Sequence, residues 1–141
     1  MTAITWFRGR YGFLSNFYPA KIRYGEHEYP TVEHAYQAMK SLSPVERHAI
    51  WMALTPGKAK RLGHRVQYPR PDWHEYKLPL MNELVRIKFE DPKLAALLVA
   101  TSPLDLIEGN EHGDVFWGQC PIGDGENHLG RILMRVRASL G

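Results

Sequence analysis

Apolar and polar positions along this chain fall into short blocks, each closed by proline or glycine. Lys21–Tyr24 and His27–Tyr29 flank Gly25-Glu26 and predict a small β-hairpin. A helical period starts at Pro30-Thr31 and runs to about Leu42, with Val32, Ala35, Tyr36 and Met39 as its apolar stripe. Ser43-Pro44-Val45-Glu46 is a capping box with proline at the first helical position, and it starts a helix to Leu54. Thr55-Pro56 starts another short helix, which Gly63 stops. Asp72 and Glu75 repeat the cap pattern ahead of a longer stretch to Phe89. Pro79 is expected to kink or split that stretch, because it lacks a backbone donor and crowds the preceding turn. Asp91-Pro92 caps a helix carrying Leu94, Leu97 and Leu98. Residues 101–125 read as irregular, with a short strand over Val115–Trp117. The last helix spans about Asn127–Leu140, with Leu129, Ile132, Leu133, Val136 and Leu140 inward and Arg131, Arg135 and Arg137 mostly outward. These blocks predict a mainly α fold with a small hairpin, one compact domain over residues 1–141. Strand–helix alternation is absent, which argues against a doubly wound sheet.

Composition changes this picture little. With 44% hydrophobic and 23% charged residues, the chain reads as an ordinary folded protein. No apolar run is long enough to span a bilayer, and the N-terminus lacks a signal-peptide core, so a cytoplasmic protein with no membrane partner is expected. A lone Cys120 excludes an internal disulfide and fits a reducing compartment. The net charge of +3 permits a phosphate-bearing partner without demanding one. The 16 aromatics matter more: five Phe, four Trp and seven Tyr exceed what a small core needs, leaving some to stack on a ring-shaped ligand.

Four segments are candidates for chemistry, the last being Trp73 with Lys77 and, further on, Lys88-Phe89. Glu33, Gln37 and Lys40 stand at i, i+4 and i+7 and share one helix face. Such a row is either a solvent face or the lining of a cleft. In a cleft, Glu33 orients water or stabilises a cation, and Lys40 pairs with it or serves as an amine nucleophile once burial depresses its pKa. Ser15 and Asn16 sit among aromatics in Phe13–Pro19, either as a turn device or as a pocket floor where Phe13 or Phe17 stacks on a base. The segment 108–127 combines Glu108, Asp114, Trp117, Gly118 and Asn127 with several glycines. Its approach to a helix start offers amides to a phosphate, although most such loops are only caps and turns. Trp73 either closes the core or covers a ligand. No metal motif is present: seven histidines include no H-E-x-x-H and no Cys/His cluster. Cys120 has no adjacent base to activate it.

The order of these motifs resembles the NADAR (YbiA-like) family. It runs FLSNFYP, YPTVEHAYQAMK, Gly63 to Arg65, DWHEYK, MNELVRIKF, LLVATSPLDLIE, DVFWG and GENHLGRILMRVR, covering about Phe7 to Leu140. His64 separates Gly63 from Arg65, and Ser102 stands where the family usually has glycine. The resemblance implies a mainly helical fold with a pocket for a ribosyl nucleotide, no cofactor, and N-glycosidase activity. One branch removes ADP-ribose from modified guanine in nucleic acid; another is linked to phosphoribosyl-pyrimidine intermediates of riboflavin synthesis. By motif, Glu33 and Lys40 take the family's glutamate and lysine positions, with Asp114 as a further catalytic acid. Ser15, Asn16, Phe17, Gln37, Trp73, Glu108, Trp117, Gly118 and Asn127 are implied substrate contacts. Arg8 or Arg10 and the amides near Asn127 would hold a diphosphate.

Overall fold

The computed structural model describes residues 2–141. The elements, in chain order, are β1 (Ala3–Ile4), a 3-10 turn (Gly9–Leu14), β2 (Ile22–Tyr24) and β3 (His27–Tyr29). Helices α1 (Val32–Ala38), α2 (Pro44–Trp51), α3 (Pro56–Gly63), α4 (Trp73–Lys88) and α5 (Pro92–Val99) follow. The chain closes with β4 (Asp105–Leu106) and α6 (His128–Leu140). It is a mainly α fold with two minor β pairings. Backbone contacts divide it into two units: Asn16–Lys88, and residues 2–15 with Phe89–Gly141.

In Asn16–Lys88, β2 and β3 pair antiparallel with Ile22 opposite Tyr29. Helix α1 contacts α2, α3 and α4, and all seven of its residues are buried. Thr31 caps α1, its hydroxyl accepting from the His34 amide. The ring of His34 is buried as well. Its Nε2 lies 3.0 Å from the Ala53 carbonyl, which only accepts, so Nε2 carries the proton and Nδ1 accepts from Thr31 Oγ1 at 2.8 Å. Ser43, Thr55 and Asp91 cap α2, α3 and α5. At α2 the capping box is only half formed. Ser43 Oγ accepts from the Glu46 amide, but the Glu46 carboxylate turns away to Ser41 Oγ and the amides of Gln67 and Tyr68. This fastens residues 67–69 to the start of α2.

Two helices are shorter than the sequence predicts. Helix α1 ends at Ala38 instead of Leu42, because the amides of Lys40 and Ser41 turn back onto the carbonyls of Gln37 and Ala38. Residues 40–42 then pair with 68–70: Arg70 N donates to Lys40 O at 2.8 Å and Leu42 N to Tyr68 O at 2.8 Å. Helix α2 stops at Trp51, short of Leu54, beside the Ala53 carbonyl that His34 holds. Pro79 does not split α4, which continues through it. The missing backbone bond costs about 3 kcal/mol. Leu80, Met81, Leu84 and Val85 are buried just beyond it, each contributing roughly 1.5–3 kcal/mol, and that burial outweighs the loss.

In the other unit, β1 and β4 pair parallel, Ala3 with Asp105 and Ile4 with Leu106. Helix α6 contacts α5 and β4 through buried Leu129, Ile132, Leu133 and Val136. Leu140, expected inward, is 41% exposed at the fraying end. Arg137, expected outward, folds back, with Nη1 donating to Thr101 Oγ1 and the Leu104 carbonyl. The strand predicted at Val115–Trp117 does not form. Asp114 Oδ1 accepts the amides of Phe116 and Trp117 at 3.2 and 2.9 Å, so a side-chain turn consumes the donors a ladder needs. Asn127 enters α6 in the left-handed region at φ 51°. Its carboxamide spans the Glu108 amide and the Leu106 carbonyl.

Asn127→Gly and Asn127→Ala should therefore separate two costs. Both lose the two buried side-chain bonds, at about 1–3 kcal/mol for each group left unsatisfied. Alanine pays a further ~1–2 kcal/mol for the left-handed backbone. Denaturant titration should rank wild type above Asn127→Gly above Asn127→Ala; equal stability of the two variants would refute the backbone contribution.

Candidate active site

Helix α1 sets the geometry in the unit Asn16–Lys88. The row Glu33, Gln37 and Lys40 is no solvent face: Glu33 is 7% exposed and Gln37 2%. Gln37 Nε2 donates to Glu33 Oε2 at 2.6 Å, one helical turn away. Gln37 Oε1 is buried with no hydrogen-bond partner among the described residues. Gly63 on α3 makes room for this amide, because a Cβ there would strike Gln37 Oε1. The Glu33 amide donates to the Asn16 carbonyl at 3.1 Å, which seats the Asn16–Phe17 loop on the first turn of α1. Asn16 Nδ2 reaches Met81 Sδ on α4 at 3.5 Å, while Phe17 is 41% exposed.

Lys40 follows the end of α1, half-buried. Its Nζ lies 5.8 Å from the Tyr36 ring centre and 5.8 Å from the Trp73 ring centre, and those two rings are 5.0 Å apart. Burial pushes the Lys40 ammonium below the usual lysine range. The Glu33 charge opposes that shift, and Lys60 and Lys77 reinforce it. Trp73 thus does more than close a core: it and Tyr36 form a ring pair beside an amine whose charge is disfavoured. His64, the residue inserted between Gly63 and Arg65, lies close enough for Lys40 and Lys60 to lower its own pKa, after burial as the main cause.

Sequence reasoning passed over one buried group here and left a second without a role. His34 sits at 1% exposure between the Ala53 carbonyl, which accepts from it, and the Thr31 hydroxyl, which donates to it, and burial lowers its pKa. Lys88, at 2% exposure near the Tyr18 ring, is pushed down to about 7 by burial. Both lie in the quoted motifs YPTVEHAYQAMK and MNELVRIKF, but spacing alone does not mark a polar residue as enclosed, and a lysine at the last position of an amphipathic helix usually reads as solvated.

Arg8, Ser15, Glu108, Asp114, Trp117, Gly118 and Asn127 belong to the other unit. Arg8 is exposed and stacks 4.9 Å over Trp6, and the Ser15 amide closes the 3-10 turn on Gly12 O. The remaining five converge on one loop. The amides of Asn127, His128 and Leu129 donate to the carbonyls of Gly118, Phe116 and Trp117, so these hydrogens serve the loop and are not turned toward a phosphate. Gly118 is buried against the Glu108 carbonyl, where no Cβ fits. Phe116, Trp117 and His128 form an aromatic cluster, with Phe116 4.5 Å from His128. No helix among the described residues is long and apolar enough to cross a membrane.

Comparison with known proteins places these features in context. The NADAR domain family model matches residues 6–141. N-glycosidase YbiA of Escherichia coli K12 is 39% identical over 132 residues, 92% of this chain and 82% of that protein. A riboflavin biosynthesis protein of Vibrio vulnificus is also 39% identical over 132 residues, but the chain spans only 36% of its length. A chloroplastic riboflavin biosynthesis protein, PYRR of Zea mays, is 35% identical over 147 residues, and the chain spans 23% of it. The NMR structure of E. coli YbiA superposes with a TM-score of 0.85 at 37% identity, covering 99% of this chain and 85% of that one.

The dependence of Gln37 on Gly63 is directly testable. Gly63→Ala should displace the Gln37 carboxamide, break its bond to Glu33 and cost about 1–3 kcal/mol in overpacking. Gly63→Ala combined with Gln37→Ala should recover part of that loss in thermal unfolding. A Gly63→Ala protein as stable as wild type would show that the contact is not tight.

Proposed function

Because this chain belongs to the NADAR domain family, we propose that it is an N-glycosidase with Lys40 at its reaction centre. The observation that carries this reading is the placement of Lys40: a half-buried amine beside the Tyr36–Trp73 ring pair, within the field of the Glu33 carboxylate. Cleaving an N-glycosidic bond builds positive charge at the anomeric carbon and the ring oxygen. Glu33 is the nearby anion that offsets it. Tyr36 and Trp73 supply ring faces for the departing base, a contact worth roughly 1–3 kcal/mol per base.

The neutral Lys40 Nζ attacks the anomeric carbon as the bond to the base breaks. The base leaves with that electron pair and takes up a proton. The sugar ring then opens: the nitrogen lone pair forms a C=N bond, the ring oxygen departs as a hydroxyl after protonation, and the amine loses a proton. Water adds to the imine carbon, and the collapsing adduct returns the free sugar and the neutral amine. The lowered pKa of Lys40 supports this route, because an ammonium has no lone pair to donate. The substrate we assign is ADP-ribose linked to guanine in nucleic acid. The second reading is a phosphoribosyl-pyrimidine intermediate of riboflavin synthesis, favoured by the names of the Vibrio and maize relatives. Mass spectrometry of products from both substrate classes discriminates them.

Lys40→Ala should abolish release of the base in a correctly folded protein, and borohydride reduction during turnover should leave a sugar on Lys40 of the wild type. Wild-type turnover by the alanine variant would eliminate the amine route. Glu33→Gln should lower kcat by well over tenfold. It should also shift the rising limb of the pH–rate profile to lower pH. The sign follows from the charges: the Glu33 carboxylate raises the Lys40 pKa, so its removal lets burial depress that pKa further. Lys77→Gln should shift the limb the opposite way. Profiles that superimpose for all three proteins would show that Lys40 does not govern the limb.

A further inference from the structure

The geometry points to a second nucleotide site in the unit Asn16–Lys88: the cavity between the β2–β3 hairpin and the start of α2 holds the nucleotide next to the reacting one on a single strand. This rests on the reading of Lys40 as reaction centre on a nucleic-acid substrate.

The cavity has a volume of about 510 Å3, within the ~300–1,000 Å3 typical of small-molecule pockets. Four rings line it, those of Tyr24, His27, Tyr29 and His48, and Arg47 and Glu26 bring one charge of each sign to its wall. Arg47 Nε is tied to the Ser41 carbonyl at 2.6 Å, which fixes the guanidinium plane at the cavity wall. His27 is braced from behind by the Trp51 indole, 4.3 Å away and tilted by 31°. Trp51 in turn donates to the Glu28 carbonyl at 3.0 Å. These are pre-set aromatic faces with an arginine beside them, the combination that receives a base and its phosphate.

A series of side-chain contacts links the wall of the cavity to the Lys40 surroundings. Tyr24 lines it and pairs its hydroxyl with that of Tyr76 at 2.9 Å. Tyr76 lies 6.4 Å from Trp73, whose ring faces Lys40. Arg70 stacks 3.6 Å over Tyr76 and directs Nη1 to the Met39 carbonyl, and Met39 is another wall of the cavity. From Lys40 the sequence of surfaces is therefore Trp73, Tyr76 with Arg70, Tyr24, then the cavity with Arg47. Rings and two arginines recur along it, Arg47 and Arg70, the latter also paired with Asp72 at 2.8 Å, and a stacked, phosphate-linked ligand uses such a series. Charge follows the same unit: residues 16–88 hold 12 Lys and Arg against 7 Asp and Glu, a net +5, and the rest of the chain holds 6 against 8, a net −2. A free mononucleotide would match the cavity chemistry equally well, and the arms of the test separate the two.

The test uses the full chain with a fluorescein-labelled single-stranded pentanucleotide containing one central guanine. ADP-ribosylated forms of that oligonucleotide and of guanosine monophosphate serve as substrates. Arg47→Ala and His48→Glu should each lower the ratio of kcat/KM, oligonucleotide over mononucleotide, at least tenfold. His48 is exposed, so its variant keeps the test valid if Arg47→Ala fails to fold. An unchanged ratio with both substrates still cleaved would overturn the site. If wild type cleaves neither, the proposed reaction fails, and fluorescence anisotropy with the unmodified oligonucleotide judges the cavity alone. A tenfold weaker Kd for the variants supports the site, and an equal Kd overturns it. AMP competing as well as the unlabelled oligonucleotide would show a free-nucleotide pocket and overturn the assignment to a strand.

Discussion

Helix α1 has no side facing water, and everything proposed for this protein follows from that constraint. Seven consecutive buried residues include Glu33, His34 and Gln37, so each polar group has to find compensation inside the protein. Gln37 answers Glu33 and His34 answers Ala53 and Thr31. A carboxylate held this way keeps its position when a cationic sugar develops beside it, because no solvent shell has to reorganise. The same burial acts on the neighbouring amine: Lys40, beyond the last turn, gives up part of its tendency to carry charge.

How α1 comes to be enclosed is a matter of small parts placed around it. Gly63 lets α3 approach close enough to seal Gln37. The Asn16 carbonyl takes the Glu33 amide, which the first turn of a helix otherwise leaves without an intrahelical acceptor. At the other end, the early stop of α1 matters most. Had the helix continued to Leu42, the carbonyl of Lys40 would have pointed along the helix axis. Instead it accepts from the Arg70 amide, and the side chain is brought beside the Tyr36–Trp73 ring pair. The short pairing of residues 40–42 with 68–70 thus sets the amine's position.

Much of this was legible in the sequence, for identifiable reasons. Caps and periodicity are local, so the starts of α2, α3 and α5 could be read from Ser43, Thr55 and Asp91. The spacing of Glu33, Gln37 and Lys40 marked a shared face but not which way it pointed, because periodicity does not distinguish a wet stripe from an enclosed polar one. Errors arose where a distant partner decides the outcome. Leu42 left the helix because Tyr68 offered its carbonyl, and Val115–Trp117 lost its strand to the Asp114 carboxylate. Arg137 turned inward because Thr101 and Leu104 offered acceptors. Helix α4 survived Pro79 through packing that no local propensity describes.

Two lysines of the unit Asn16–Lys88 are depressed by burial, and comparing them shows why the reaction is proposed at one and not at the other. Lys88 is the more perturbed: at 2% exposure and a pKa of about 7, it is largely neutral under conditions in which most lysines are charged. By proton affinity alone it would be the better nucleophile. But burial is the only cause of its shift, and burial that complete also shuts out a sugar. Lys40 keeps part of its surface, and its pKa reflects an acid and two neighbouring amines as well as desolvation. A group that must first be neutral and then accept a substrate needs that intermediate position. Low pKa identifies an available lone pair; access identifies one that can be used, and Lys40 keeps the access that Lys88 lacks.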